Sequence, residues 1–181
     1  MQYFIGIVPP DEYKEKIIKV QHQWENNLLV DVVEPHITVK AQGGLTADLE
    51  WIEKLKKVCA SFFVFNVSLN PPKFFGESVL FLSVTSEKIF ELHQKIVNAI
   101  SPDNELIKRY MELDNYVPHL TMGQTHWGLS SKELKNMATI TEKELSPYPT
   151  FEVNFIRIYQ EKETNKYVNY LDIPLKKRAQ V

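Results

Sequence analysis

The spacing of apolar positions along this chain switches between period two and period 3.6, and the switches divide it into elements. Residues 2–8 form an almost unbroken apolar run that predicts a buried strand, ended by Pro9-Pro10. From 11 to 26, Tyr13, Ile17, Val20 and Trp24 recur at helical spacing with Lys and Glu between them, and Asp11 offers an N-cap oxygen. Residues 36–41 alternate as a strand, and Gly43-Gly44 marks a turn. Thr46 stands where it can cap a second helix whose inner stripe is Leu49, Ile52, Leu55 and Val58. Two β-rich runs follow, 62–69 and 79–85, with turn signals across 70–78. Ser86 begins a third helix that reaches Ile100 with Ile89, Leu92, His93 and Ile96 facing inward, and 101–116 reads as a long connection. Residues 119–125 are another strand, and Ser130 opens a short helix to about Ala138. The last stretch predicts a hairpin, with strands over 151–159 and 167–173 and a polar turn across 161–166.

This order, with several adjacent strands among the helices, favours an α+β fold of antiparallel sheets over a doubly wound parallel one. At 181 residues the expectation is a single domain. The hydrophobic fraction of 44% and charged fraction of 24% suit a chain with a real core and argue against overall disorder. A net charge of −2 gives no global field toward nucleic acid or an anionic membrane, so any phosphate recognition must be local. The single cysteine, Cys59, excludes an internal disulfide and fits a reducing compartment. No apolar run approaches the ~20 residues of a membrane span, and the N-terminal run lacks the basic flank of a signal peptide. The expected location is the cytoplasm, with no membrane and no obligate protein partner.

One phrase occurs twice: Pro35-His36-Ile37-Thr38-Val39 returns as Pro118-His119-Leu120-Thr121-Met122. With strict strand alternation, His36, Thr38 and Lys40 share one face while Ile37 and Val39 take the other; His119, Thr121 and Gly123 repeat the arrangement. Each motif then offers one imidazole and one hydroxyl together. Two imidazoles can divide proton transfer near neutrality, one neutral as base and one protonated as acid. The hydroxyls of Thr38 and Thr121, helped by the Lys40 ammonium, suit the non-bridging oxygens of a phosphodiester, where charge grows in the transition state. A single copy could be an ordinary strand with a satisfied histidine; two copies with matching faces favour a shared site. No third ligand stands beside either motif, so the reading needs neither a metal nor a cofactor.

The paired His-x-Thr phrase, in a chain of this length and with these flanking strands, resembles the 2H phosphoesterase superfamily, nearest its 2′-5′ RNA ligase and cyclic phosphodiesterase branch. The likeness extends over Tyr3-Phe4-Ile5-Gly6-Ile7, both motifs, Phe74-Phe75-Gly76 and the closing Pro174-Leu175. It implies a bilobal fold of two antiparallel sheets, helices outside, and a cleft between two similar lobes. It further implies His36 and His119 as the acid–base pair, Thr38 and Thr121 as phosphate ligands, and an aromatic beside the cleft, with Phe75 and Tyr116 as candidates to stack on a base. Where several relatives carry a basic residue after the second motif, this chain has Gln124. That points toward a small cyclic nucleotide or an RNA terminus, with ligation less favoured than hydrolysis. The alternative is a non-catalytic binder of nucleotides or RNA ends in the same cleft.

Overall fold

The most apolar run of the chain becomes an inner strand of its sheet, and the two edge strands are half-polar. In a computed structural model, which describes residues 1–178, all five residues of β1 (Tyr3–Ile7) are buried. It is followed by α1 (Asp11–Gln21), β2 (Ile37–Lys40), α2 (Glu50–Ser61), β3 (Phe65–Phe75), β4 (Val79–Thr85) and α3 (Glu87–Ile100). Then come α4 (Asn104–Arg109), β5 (His119–Gln124), α5 (Ser131–Leu145), β6 (Thr150–Val153), β7 (Phe155–Glu163) and β8 (Lys166–Pro174). The α+β class stands. The two separate sheets do not, because one eight-stranded sheet runs in the order β6-β3-β4-β5-β2-β1-β7-β8.

The reason lies at its centre. All the recorded pairings between named strands are antiparallel, and β2 meets β5 at a single residue pair, Ile37 with Leu120. The four strands on either side of that contact are otherwise paired only among themselves. The sheet is thus continuous but narrowly stitched, and the two motif strands lie on either side of the stitch. Ile37, Val39, Leu120 and Met122 are fully buried in the core, where α2 packs on α3 and α1 packs on α5.

Several boundaries differ from the periodicity. The run predicted to turn at 70–78 continues as β3 through Pro71-Pro72. β6 pairs with β3 only over Phe65–Ser68, so the prolines fall where that edge has no neighbour and no N–H is missed. The β4 side accommodates them with an irregularity between Asn70 and Pro72. The strand predicted over 151–159 divides at Asn154: β6 joins β3 in one half of the sheet and β7 joins β1 in the other. Thr46 does not cap α2; its hydroxyl binds Asp48 Oδ1, which accepts the backbone N–H of Glu50 instead. The connection 101–116 contains α4, capped by Asp103. α5 runs past Ala138 because Leu134, Met137, Thr141 and Leu145 keep one buried stripe.

Candidate active site

Both motif strands carry a β-bulge immediately after their threonine. In the β1–β2 ladder Gly6 faces Thr38 but Ile5 faces Lys40, so Val39 is an extra residue. In the β4–β5 ladder Leu80 faces Gly123 but Phe81 faces Thr121, so Met122 is extra. A bulge resets the alternation of side chains. Residues before it keep the predicted faces, with His36, Thr38, His119 and Thr121 half-buried beside the cleft. The residues next after it, Lys40 and Gly123, are buried.

Lys40 is the correction that follows. It was expected on the active face, yet its side chain is 0% exposed. Its ammonium donates to Glu112 Oε1 at 2.7 Å, to the Ala41 carbonyl at 3.0 Å and to the Gly43 carbonyl. Burial pushes the ammonium down and the Glu112 carboxyl up from their ordinary values, and their mutual contact opposes both shifts. With its donors engaged inside the core, Lys40 has none for a phosphate.

The two histidines are mounted alike. Nδ1 of His36 lies 2.8 Å from the carbonyl of Glu34, and Nδ1 of His119 lies 2.7 Å from the carbonyl of Val117. A carbonyl only accepts, so Nδ1 carries the hydrogen in both rings and each Nε2 is left to the cleft. Aromatic rings support each imidazole: Phe4 and Tyr159 for His36, with centroids at 4.8 and 5.3 Å, and Phe75 and Phe81 for His119, at 5.0 and 5.3 Å. Gly6 makes room for the first, since a Cβ there would stand 3.4 Å from His36 Cδ2 and 3.2 Å from Tyr159 Cε2. Burial, joined by repulsion from His119, pushes the His36 imidazolium down to about 4. Burial likewise lowers His119 from its ordinary value, against the pull of the Val117 carbonyl.

The mounts differ in what lies behind them. Glu34, whose carbonyl orients His36, has its carboxylate bound by Lys14, Arg157 and Tyr159 at 2.7–2.9 Å. Burial works to raise that carboxyl, but the three donors outweigh it and hold it below the usual range. Val117, the counterpart in the second motif, is apolar and exposed. The repeated phrase carried this asymmetry as Glu34-Pro35 against Val117-Pro118, a signal the motif reading did not use.

Two adjoining cavities meet at the motifs. One, of about 380 Å³, is lined by His36, Thr38, His119 and Thr121, with Phe4, Trp127 and Tyr167 around them. The other, of about 830 Å³, shares Thr38, Ala41, His119 and Gln124 with the first and extends past Phe75, Arg109 and Tyr116. Neither threonine hydroxyl has a hydrogen-bond partner among the described residues. Phe75 is 37% exposed, although one face of its ring is stacked on Phe81 and the ring stands at right angles to His119. Tyr116 is not open in the same way. Its ring lies on His93 and its hydroxyl donates to the Thr38 carbonyl at 2.8 Å. Trp127 and Gln21 were not singled out by the motif reading, and His93 was read as packing alone. Among the described residues no group of three or more His, Cys, Asp or Glu side chains is gathered as a metal cage.

Comparison with known proteins bears on the family and the fold. A sequence model of the 2′-5′ RNA ligase superfamily matches residues 9–165. The RNA 2′,3′-cyclic phosphodiesterase of Methanocaldococcus jannaschii is 28% identical over 166 residues, covering 88% of this chain and 91% of that protein. Among solved structures, TT0787 of Thermus thermophilus superposes with a TM-score of 0.66 at 13% identity, over 99% of this chain and 100% of that one. Apo LigT of E. coli gives 0.65 at 16% identity, over 97% of each chain. At these identities the structural likeness concerns the fold.

Proposed function

The chain belongs to the 2′-5′ RNA ligase superfamily, and from that membership we propose that it is a phosphodiesterase opening 2′,3′-cyclic phosphates on a nucleotide or an RNA end, with His36 and His119 as its general acid and base. The observation that carries the reading is the matched mount of the two imidazoles: both hold a hydrogen on Nδ1 against a carbonyl, which leaves Nε2 as the proton-transfer atom, and both rings line one cavity. One neutral Nε2 takes a proton from water as its oxygen bonds to phosphorus. The other ring, protonated, gives its proton to the ribose oxygen whose bond to phosphorus breaks. The product is a phosphomonoester with a free ribose hydroxyl, and each imidazole ends in the state the other began in.

Burial disfavours the imidazolium, so the acid depends on the substrate. An anionic phosphate beside it raises its affinity for a proton. Thr38 and Thr121 hydroxyls donate to the non-bridging oxygens, a role for neutral donors in a site where Lys40 is engaged elsewhere. Phe75 offers a face to a base. No step calls for a metal.

The test is turnover of nucleoside 2′,3′-cyclic phosphates with and without chelator. His36→Ala and His119→Ala should each lower kcat/KM by about 10²-fold or more, the scale of a lost proton-transfer group, with the circular dichroism spectrum unchanged. Activity that survives either change would end the two-histidine mechanism. Tight binding of a 3′-nucleotide without turnover would favour the non-catalytic alternative.

A further inference from the structure

The bulges disrupt the strand ladder at the motif threonines, and side chains from outside the sheet bond to the carbonyls there. In the first motif the Thr38 carbonyl accepts from Tyr116 Oη at 2.8 Å, and the Val39 carbonyl accepts from Nδ1 of His93 at 2.6 Å. His93 is itself fixed, accepting the Leu113 N–H at Nε2 over 2.8 Å, and its ring lies parallel to Tyr116 with centroids 3.9 Å apart. In the second motif the buried Gln21, at the end of α1, donates from Nε2 to the Met122 carbonyl at 3.2 Å and to the Thr121 carbonyl at 3.4 Å. The same two carbonyl positions are therefore held in each half, by elements unrelated in sequence.

We infer that Tyr116 and Gln21 are positioning residues, each holding the backbone of one motif threonine so that its hydroxyl stands where a phosphate oxygen needs it. This rests on the phosphodiesterase reading for what the threonines hold. The physical ground is the cost of leaving a buried carbonyl without a donor. A strand segment freed in this way shifts to find water or another partner, and its hydroxyl moves with it. Groups that bind a transition state tolerate about 0.5 Å of error, and a displacement of ~1 Å can cost ~10²-fold in rate. Neither residue donates to the phosphate itself; each acts through its threonine.

Kinetic coupling separates this from a merely structural role. Tyr116→Phe removes one hydroxyl and keeps the stacked ring. It should lower kcat/KM for a nucleoside 2′,3′-cyclic phosphate by about tenfold, an intermediate displacement on that scale. In a Thr38→Val background the same change should cost less than about twofold, because the hydroxyl it aims is gone, while in a Thr121→Val background the full loss should remain. Gln21→Leu should give the mirror result, coupled to Thr121 and indifferent to Thr38, and it carries the test if Tyr116→Phe does not fold. Equal losses in the two threonine backgrounds, or a loss below about twofold in the parent protein, would overturn the inference. The same set is measured for inorganic phosphate affinity by calorimetry. Affinities that couple within each half, without turnover, would remove the phosphodiesterase reading and keep the positioning role. Turnover with equal losses across backgrounds would do the reverse.

Discussion

The one extra residue at Val39 carries Lys40 past the cleft and into the core. There it is half of a buried ion pair with Glu112, and the other Glu112 oxygen is buried with no hydrogen-bond partner among the described residues. Such a pair is costly to break from one side, since the remaining charge keeps its desolvation penalty. Lys40→Met should therefore lower unfolding free energy by about 3–5 kcal/mol, read from urea denaturation, and adding Glu112→Leu should restore much of that loss. A single-mutant loss below ~1 kcal/mol would mean that the pair is solvated. The residue-scale chemistry that was legible, His-x-Thr twice, sits before each bulge, where alternation still holds. The parts that were not legible, Gln21, His93 and the partners of the Glu34 carboxylate, act through contacts many residues away in sequence, which no local spacing encodes.

Elements were legible in proportion to how far their own pattern decided them. α3 emerged nearly as read because its stripe from Ile89 to Ile100 is regular and wholly buried. α5 was read short, since Thr139, Ile140 and Thr141 are β-branched and lower helix propensity; tertiary burial of Thr141 and Leu145 carries the helix onward. Its start is local and strong. Ser130 accepts the Glu133 backbone N–H, and the Glu133 carboxylate reaches back to the Ser130 N–H, a complete capping box. Ser130→Ala should cost about 1 kcal/mol, seen as a lower denaturation midpoint with an unchanged slope. A midpoint within error of the parent would show that packing on α1 alone defines that end. β3 and the β6–β7 division were misread for a different reason: whether a proline or an asparagine ends a strand depends on which neighbour is present, and pairing is not visible along one chain.

For the molecule as a whole, three histidines favour their neutral forms: desolvation lowers His36 to about 4 and moves His93 and His119 the same way. Between pH 6.5 and 4 the unfolded chain takes up a proton at His36 that the folded one refuses, so by linkage stability is fully present above 6.5 and falls as the pH drops. At 1.36 kcal/mol per unit, His36 alone accounts for roughly 3 kcal/mol over that window, and the other two add in the same direction. Thermal unfolding followed from pH 7.5 to 4.5 should show a decline that His36→Ala makes shallower; an unchanged slope in that variant would assign the acid sensitivity elsewhere. The antiparallel architecture was legible from the order of elements, but its closure into one sheet was not, because Ile37 and Leu120 meet only in three dimensions. The tie from Glu34 to Arg157 and Tyr159 has a further consequence in time. His36 leaves the ribosome on the order of ten seconds before β7 does, at usual rates of synthesis. A nascent chain halted ahead of Arg157 lacks the strand that seats its first imidazole. On the proposed reading, the growing polypeptide remains inert until β7 arrives to complete the seat.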